Sequence, residues 1–125
     1  MIVKQQFRFE AAHRLPRHPG KCFNLHGHSY RIELTLDLPV KPESGMTMDF
    51  SDIESVVRAR VLDRCDHHDL NAFLDNPTAE NIVVWIWNEL ASPPDGVPGL
   101  RSIELWEVEG CSVVYGGEQG SPGQA

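Results

Sequence analysis

Acidic side chains are missing from one stretch of this chain: none occurs between Glu10 and Glu33. Elsewhere they are plentiful, and the formal net charge is −7. An excess of acid argues against nucleic acid as the main partner. The acid-free stretch holds Arg14, Arg17, Lys21 and Arg31 with four of the six histidines, which suits a small anionic molecule. Cysteine is scarce as well. Three thiols cannot pair completely, and MIVKQQFRFE lacks the apolar stretch of a signal peptide, so reduced thiols in the cytoplasm are expected. No apolar run approaches the ~20 residues that cross a bilayer, so no membrane span or membrane partner is expected. No repeat or internal linker divides the 125 residues, enough for a single core.

What is present is regular. Residues 2–9 read as a strand with Val3, Phe7 and Phe9 on one face. In residues 30–38, Tyr30, Ile32, Leu34, Leu36 and Leu38 alternate with polar neighbours, the pattern of a half-buried antiparallel strand. KPESG is a turn. Ser51 and Glu54 make a capping box for a helix whose apolar stripe is Ile53, Val56, Val57 and Val61. Residues 66–76 are polar loop. A second helix opens near Thr78 and stops at Ser92-Pro93-Pro94. Strands follow at about 101–108 and 112–115. The expected fold is α+β: an antiparallel four-stranded sheet with two helices on one face, in the order β-β-α-α-β-β. Residues 1–118 form the one domain; the Gly-, Ser- and Pro-rich chain from Gly116 should fray, with 119–125 a flexible tail. Two open sheet edges need covering, and pairing them around an axis predicts a ring-shaped homo-oligomer.

The segment Cys22-Phe23-Asn24-Leu25-His26-Gly27-His28 carries the strongest chemical signal. Histidines at i and i+2 lie on one side of an extended chain, so both imidazoles can reach one ion. Gly27 between them lets backbone approach closely. If the first two strands form a hairpin, His13 joins them. Three neutral imidazoles with an open fourth position describe a catalytic zinc site. All-nitrogen ligation favours zinc, while iron, nickel and copper accept the same donors. His18 reads as an ordinary loop residue.

Cys22 has two readings. It is a fourth ligand that closes the site, or a free thiol aimed at a substrate on the metal. A thiol moving protons needs a base, and Asp66-His67 offers a carboxylate-oriented histidine if a tight turn joins them. Cys65, on the helix stripe, and Cys111, after Gly110, read as buried small hydrophobes. Glu107 ends an apolar row with Ile103 and Leu105, and by alternation Glu109 points the same way. A buried carboxylate needs a partner, and a heterocycle presenting an amino group beside a ring N–H would pair with it bidentately. A zinc hydrolase would need a carboxylate base at the metal; Glu10, the acid nearest in sequence, points away from His13 on an extended strand.

Together FEAAHRLP, CFNLHGH, MDFSDI, DHHDLN, NPTAEN and a strand glutamate followed by Tyr115 resemble the 6-pyruvoyl-tetrahydropterin synthase family over about residues 3–118. The resemblance implies zinc held by His13, His26 and His28, Cys22 as catalytic thiol, and Asp66 and His67 assisting proton transfer. It makes Glu107 the anchor of a pterin ring and Thr78 a further pterin contact. Arg14, Arg17 and Lys21 become candidates for a triphosphate. It implies the tunnelling fold, in which trimers close a barrel and pair into hexamers with sites between subunits. The short spacing from Cys22 to His26 and His28 looks like the bacterial 6-carboxy-tetrahydropterin synthase branch of queuosine biosynthesis. Phe23 and Asn24 stand where other members often carry smaller or basic residues, so triphosphate contacts are expected to differ.

Overall fold

The computed structural model describes residues 1–118. Alternating side chains bring β1 (Ile2–His13) and β2 (His26–Asp37) together as an antiparallel pair, from Ile2 opposite Asp37 to His13 opposite His26. Both strands run four residues beyond the apolar alternation, where the inward positions are Ala11 and His13 in β1 and His26 and His28 in β2. β4 (Leu100–Val108) pairs with β2, and β5 (Cys111–Tyr115) pairs with β4.

The sheet has five strands, not four, in the order β3-β1-β2-β4-β5. The extra strand, β3 (His68–Asp69), lies parallel to β1 at Ala11 and Ala12, within the segment expected to be loop. Two polar residues show no alternation, so only the pairing reveals them. The strand matters because it carries the Asp66-His67 turn to the end of β1.

α1 (Phe50–Val57) starts from Asp49 rather than from a Ser51–Glu54 box. The Asp49 carboxylate accepts from the Ser51 backbone N–H at 2.9 Å and from its hydroxyl at 2.8 Å. Those bonds, the backbone one foremost, hold the Asp49 carboxyl below its usual range. Glu54 is left to pair with Arg58 one turn on. The helix runs through a π-helical stretch (Arg58–Leu62) into α2 (Asp63–Cys65), keeping Val61, Leu62 and Cys65 inward. α3 (Ala79–Ala91) is capped by Thr78, whose hydroxyl accepts from the Asn81 N–H. The core between helices and sheet includes fully buried Ile32, Leu34 and Leu36 of β2, Ile53 of α1, and Ile82 and Ile86 of α3. Each such side chain contributes roughly 1.5–3 kcal/mol. No helix among the described residues is long and apolar enough to cross a membrane.

Four further expectations change. Cys65 is buried, and burial pushes its thiol up to about 12, but Cys111 is exposed at the start of edge strand β5. Gly27 is not forced by close approach: a Cβ there would meet the Ala11 carbonyl at an ordinary 3.6 Å. The chain from Gly116 to Glu118 is held, with the Tyr115 hydroxyl donating to the Glu118 carbonyl and the Gly116 N–H to the Glu118 carboxylate; residues 119–125 lie outside the described residues. Finally, a register shift between Trp106 and Val108 puts Val108 opposite Cys111, and Glu109 leaves the face that Glu107 occupies.

Candidate metal centre

His13 ends β1 on its core side, directly opposite His26 at the start of β2, and His28 follows one pleat on. Their ligand atoms lie within 4.8 Å of one another. The rings stand steeply edge to face, with centroids 4.6–5.0 Å apart. Nε2 of His13 is 3.1 Å from Nε2 of His26, too close for two lone pairs unless a proton or a cation lies between them.

Hydrogen bonds choose which nitrogens face inward. His13 Nδ1–H donates to the Pro77 carbonyl at 2.8 Å, and His26 Nδ1–H to the Asn24 carbonyl at 2.7 Å. Each bond leaves Nε2 with its lone pair toward the cluster, the arrangement that supports metal-binding histidines. His13 and His28 are held below the usual imidazole pKa, burial being the largest cause and Glu107 opposing it. Both therefore favour the neutral imidazole, the form that binds metal.

Glu107 stands at the open side, its Oε1 3.5 Å from His13 Nε2 and 4.0 Å from His28 Nε2. It shares a cavity of about 320 Å³ with Leu15, Thr78, Cys111 and Val113. Thr78 and Glu107, named separately from the sequence, thus line one space. Cys22 lies half-buried in a 3₁₀ turn (Lys21–Phe23) of the β1–β2 connection, outside the cluster of possible ligands. That connection is pinned by Leu15 N–H donating to the Cys22 carbonyl and by Asn71, which bonds both the N–H and the carbonyl of Arg14. Arg14 places its guanidinium over Phe23, while Arg17 and Lys21 are exposed.

Asp66 and His67 do form the pair, 3.1 Å apart, because His67 takes a positive φ of 61°. A non-glycine residue there costs of order 1–3 kcal/mol. The turn is held on β1: Glu10 N–H donates to the Asp66 carboxylate and His67 N–H to the Glu10 carbonyl. The Glu10 bond is the chief reason the Asp66 carboxyl sits below its usual range. The His67 side chain is 78% exposed and opens on a different cavity from Glu107, one of about 480 Å³ beside Glu10 and Ser29. Glu10 itself bonds Ser29 on the outer face and is no base for the metal.

The sequence assigned Tyr30, Pro77 and Asn24 no role at the metal centre. A signal existed for Tyr30 alone, since it follows His26 and His28 at i+4 and i+2 on one strand face, and its buried hydroxyl needed a partner. That partner is His13 Nδ1, at 3.1 Å.

Known proteins resemble this chain in both sequence and fold. A 6-carboxy-5,6,7,8-tetrahydropterin synthase of Synechocystis sp. is 40% identical, covering 97% of both chains. A dihydroneopterin monophosphate aldolase of Pyrococcus furiosus is 35% identical over 79% of this chain and 82% of its own. The structure of Caenorhabditis elegans 6-pyruvoyl tetrahydropterin synthase superposes with a TM-score of 0.84 at 27% identity, covering 94% of this chain and 96% of the other. The family model described as 6-pyruvoyl tetrahydropterin synthase matches residues 2–118, and the chain belongs to that family.

Proposed function

We propose that this chain is a zinc-dependent 6-carboxy-5,6,7,8-tetrahydropterin synthase serving queuosine biosynthesis. It would convert 7,8-dihydroneopterin triphosphate to 6-carboxy-tetrahydropterin, acetaldehyde and triphosphate. Water completes the balance, and no external reductant is needed: the first side-chain carbon becomes a carboxyl as the ring gains two hydrogens. The observation that carries the reading is the cluster of three imidazoles, with the Glu107 carboxylate beside His13 and His28, in a chain 40% identical to a synthase of that name.

The donor set fits zinc, with His13, His26 and His28 holding it through Nε2. Bound there, zinc supplies Lewis acidity to the substrate's side-chain hydroxyls. Glu107 accepts from the pterin amino and ring N–H groups, and Thr78 borders the same cavity. Cys22 moves a proton at the side-chain carbon, and His67, oriented by Asp66, takes and returns it. Arg14, Arg17 and Lys21, on the β1–β2 connection, are the candidates for the triphosphate. Within one chain His67 and Glu107 open on different cavities, and the outer edges of β1 and β5 are largely unpaired. Both features suit a trimer or hexamer in which one copy's His67 serves its neighbour's site.

The second reading is 6-pyruvoyl-tetrahydropterin synthase, favoured by the close structural match to such an enzyme. Incubation of zinc-loaded protein with 7,8-dihydroneopterin triphosphate separates the two. Acetaldehyde and 6-carboxy-tetrahydropterin are expected; 6-pyruvoyl-tetrahydropterin without acetaldehyde would replace the first reading with the second. No turnover, with a cobalt spectrum showing thiolate ligation, would make the chain a zinc-binding module.

A further inference from the structure

We propose that Arg8 and Arg31, on the sheet face turned away from the helices, form a binding site for a phosphate-type dianion. Even-numbered residues of β1 from Ile2 to Glu10 are outside the core, and Arg8 sits between buried Phe7 and Phe9. Arg31 sits likewise between buried Tyr30 and Ile32. The hairpin register sets the two arginines directly opposite each other. Opposed residues have Cβ atoms about 4.5–5.5 Å apart, and like charges so placed repel.

The usual relief would be a carboxylate, yet Glu33, Glu10 and Glu104 accept bonds from other groups, and Glu109, exposed in the β4–β5 turn, is within ion-pair distance of neither arginine. Glu33 takes Lys4 at 3.5 Å and Gln6 at 2.8 Å. Glu10 takes the Ser29 hydroxyl at 2.5 Å, and Glu104 the Ser112 hydroxyl at 2.7 Å. Among the described residues neither Arg8 nor Arg31 makes an ion pair. The buried residues on either side hold both positions on the outer face.

Arg31 is also held in place. Trp106 lies opposite it on β4, and the guanidinium carbon is 4.2 Å from the indole centroid. Its Nε–H is buried without a hydrogen-bond partner. A guanidinium pinned on an aromatic face gives up little further freedom when its remaining donors engage a ligand. Above the pair is a cavity of about 400 Å³, lined also by Ser29, Val108 and Glu109. Arg31 is pinned and Arg8 is exposed opposite it; together they outnumber Glu109, the one carboxylate on the cavity, and tetrahedral oxygens can accept from both guanidinium forks. A monocarboxylate has two oxygens, enough for one fork and too few for both. This site is separate from Arg14, Arg17 and Lys21, which belong to the β1–β2 connection.

The test is calorimetric titration of the metal-loaded protein with inorganic phosphate, with acetate at equal ionic strength as the monoanion. Phosphate should bind wild type, and Arg31→Gln and Arg8→Gln should each weaken it by roughly tenfold or more, the loss of a charge-assisted bond. Arg101→Gln removes an equal charge, but one already paired with Asp37, and should leave binding intact. Phosphate should also raise the melting temperature of wild type more than that of Arg8→Gln, which by itself should be no less stable because it removes repulsion. Equal phosphate binding in wild type and Arg8→Gln, no binding to wild type, or acetate binding as tightly as phosphate would each overturn the proposal.

Discussion

The Tyr30 hydroxyl lies 3.1 Å from Nδ1 of His13, in the buried layer beneath the metal centre. That nitrogen's proton is shared between the Pro77 carbonyl and the tyrosine oxygen, so Nε2 is left to bind an ion. Tyr30 also stacks on Phe9 at a centroid distance of 5.0 Å, which fixes the hydroxyl's place. Replacing Tyr30 by Phe keeps the stack and removes the hydroxyl. Metal affinity should fall by roughly tenfold, the low end of what a supporting partner contributes, with the fold retained. Competition with a chelator of known affinity, alongside circular dichroism, measures both.

Removal of a ligand should cost more than removal of its support. His26→Ala should lose metal by more than the roughly 10–100-fold typical of outer partners. His18→Ala should not, since His18 is exposed in the loop, where its Nδ1 accepts from the Gly20 N–H. Full metal occupancy in His26→Ala at low buffered zinc would refute the triad.

Cys22→Ala should keep its metal and lose turnover by roughly 10²–10⁴, the range of a general acid–base group. His67→Ala should do likewise. If His67 serves a neighbouring copy, mixing the two inactive variants should restore part of the activity as subunits exchange. Loss of metal in Cys22→Ala would return the thiol to the ligand set.

Glu107→Gln keeps the size of the side chain but presents one acceptor oxygen and a mismatched donor. An unpaired buried group costs about 1–3 kcal/mol, which should appear chiefly as weaker pterin binding. Glu54→Gln, on the exposed face of α1, is the control and should bind as wild type does.

The metal-free protein should lose stability as pH falls. His13 and His28 have folded pKa values below the usual 6.5, burial being the main cause, so the unfolded chain takes up their protons first. More protons on the unfolded state means stability rises with pH. The contribution is whole well above the unfolded value of about 6.5 and is lost as pH falls through it towards the lower folded values. Urea denaturation across that range should give a shallower decline for His28→Gln than for wild type.

The strands and helices were legible where burial is one-sided. The Tyr30-to-Leu36 alternation and the Ile53, Val57, Val61 stripe both appear in the structure. The cap of α1 was misread by two residues, because Asp49 and Ser51 are both good caps and sequence does not say which carboxylate or hydroxyl wins. Cys111 was misread because a small residue beside a turn fits a core or an edge equally well. β3 and the Glu107–Glu109 divergence left no pattern at all, since one is a pairing of two polar residues and the other a register shift.

By itself, the sequence determined which side chains are available to a metal and that two of them, His26 and His28, share a strand face. Strand periodicity is local and needs nothing beyond neighbouring residues. Tertiary structure alone decided that His13 meets them, that Pro77 and Tyr30 orient it, that Glu107 and Thr78 share a cavity, and that Arg8 opposes Arg31. These are relations between residues 13 to 64 positions apart or more, or across a sheet, and they follow from pairing register and core packing, which no local pattern encodes.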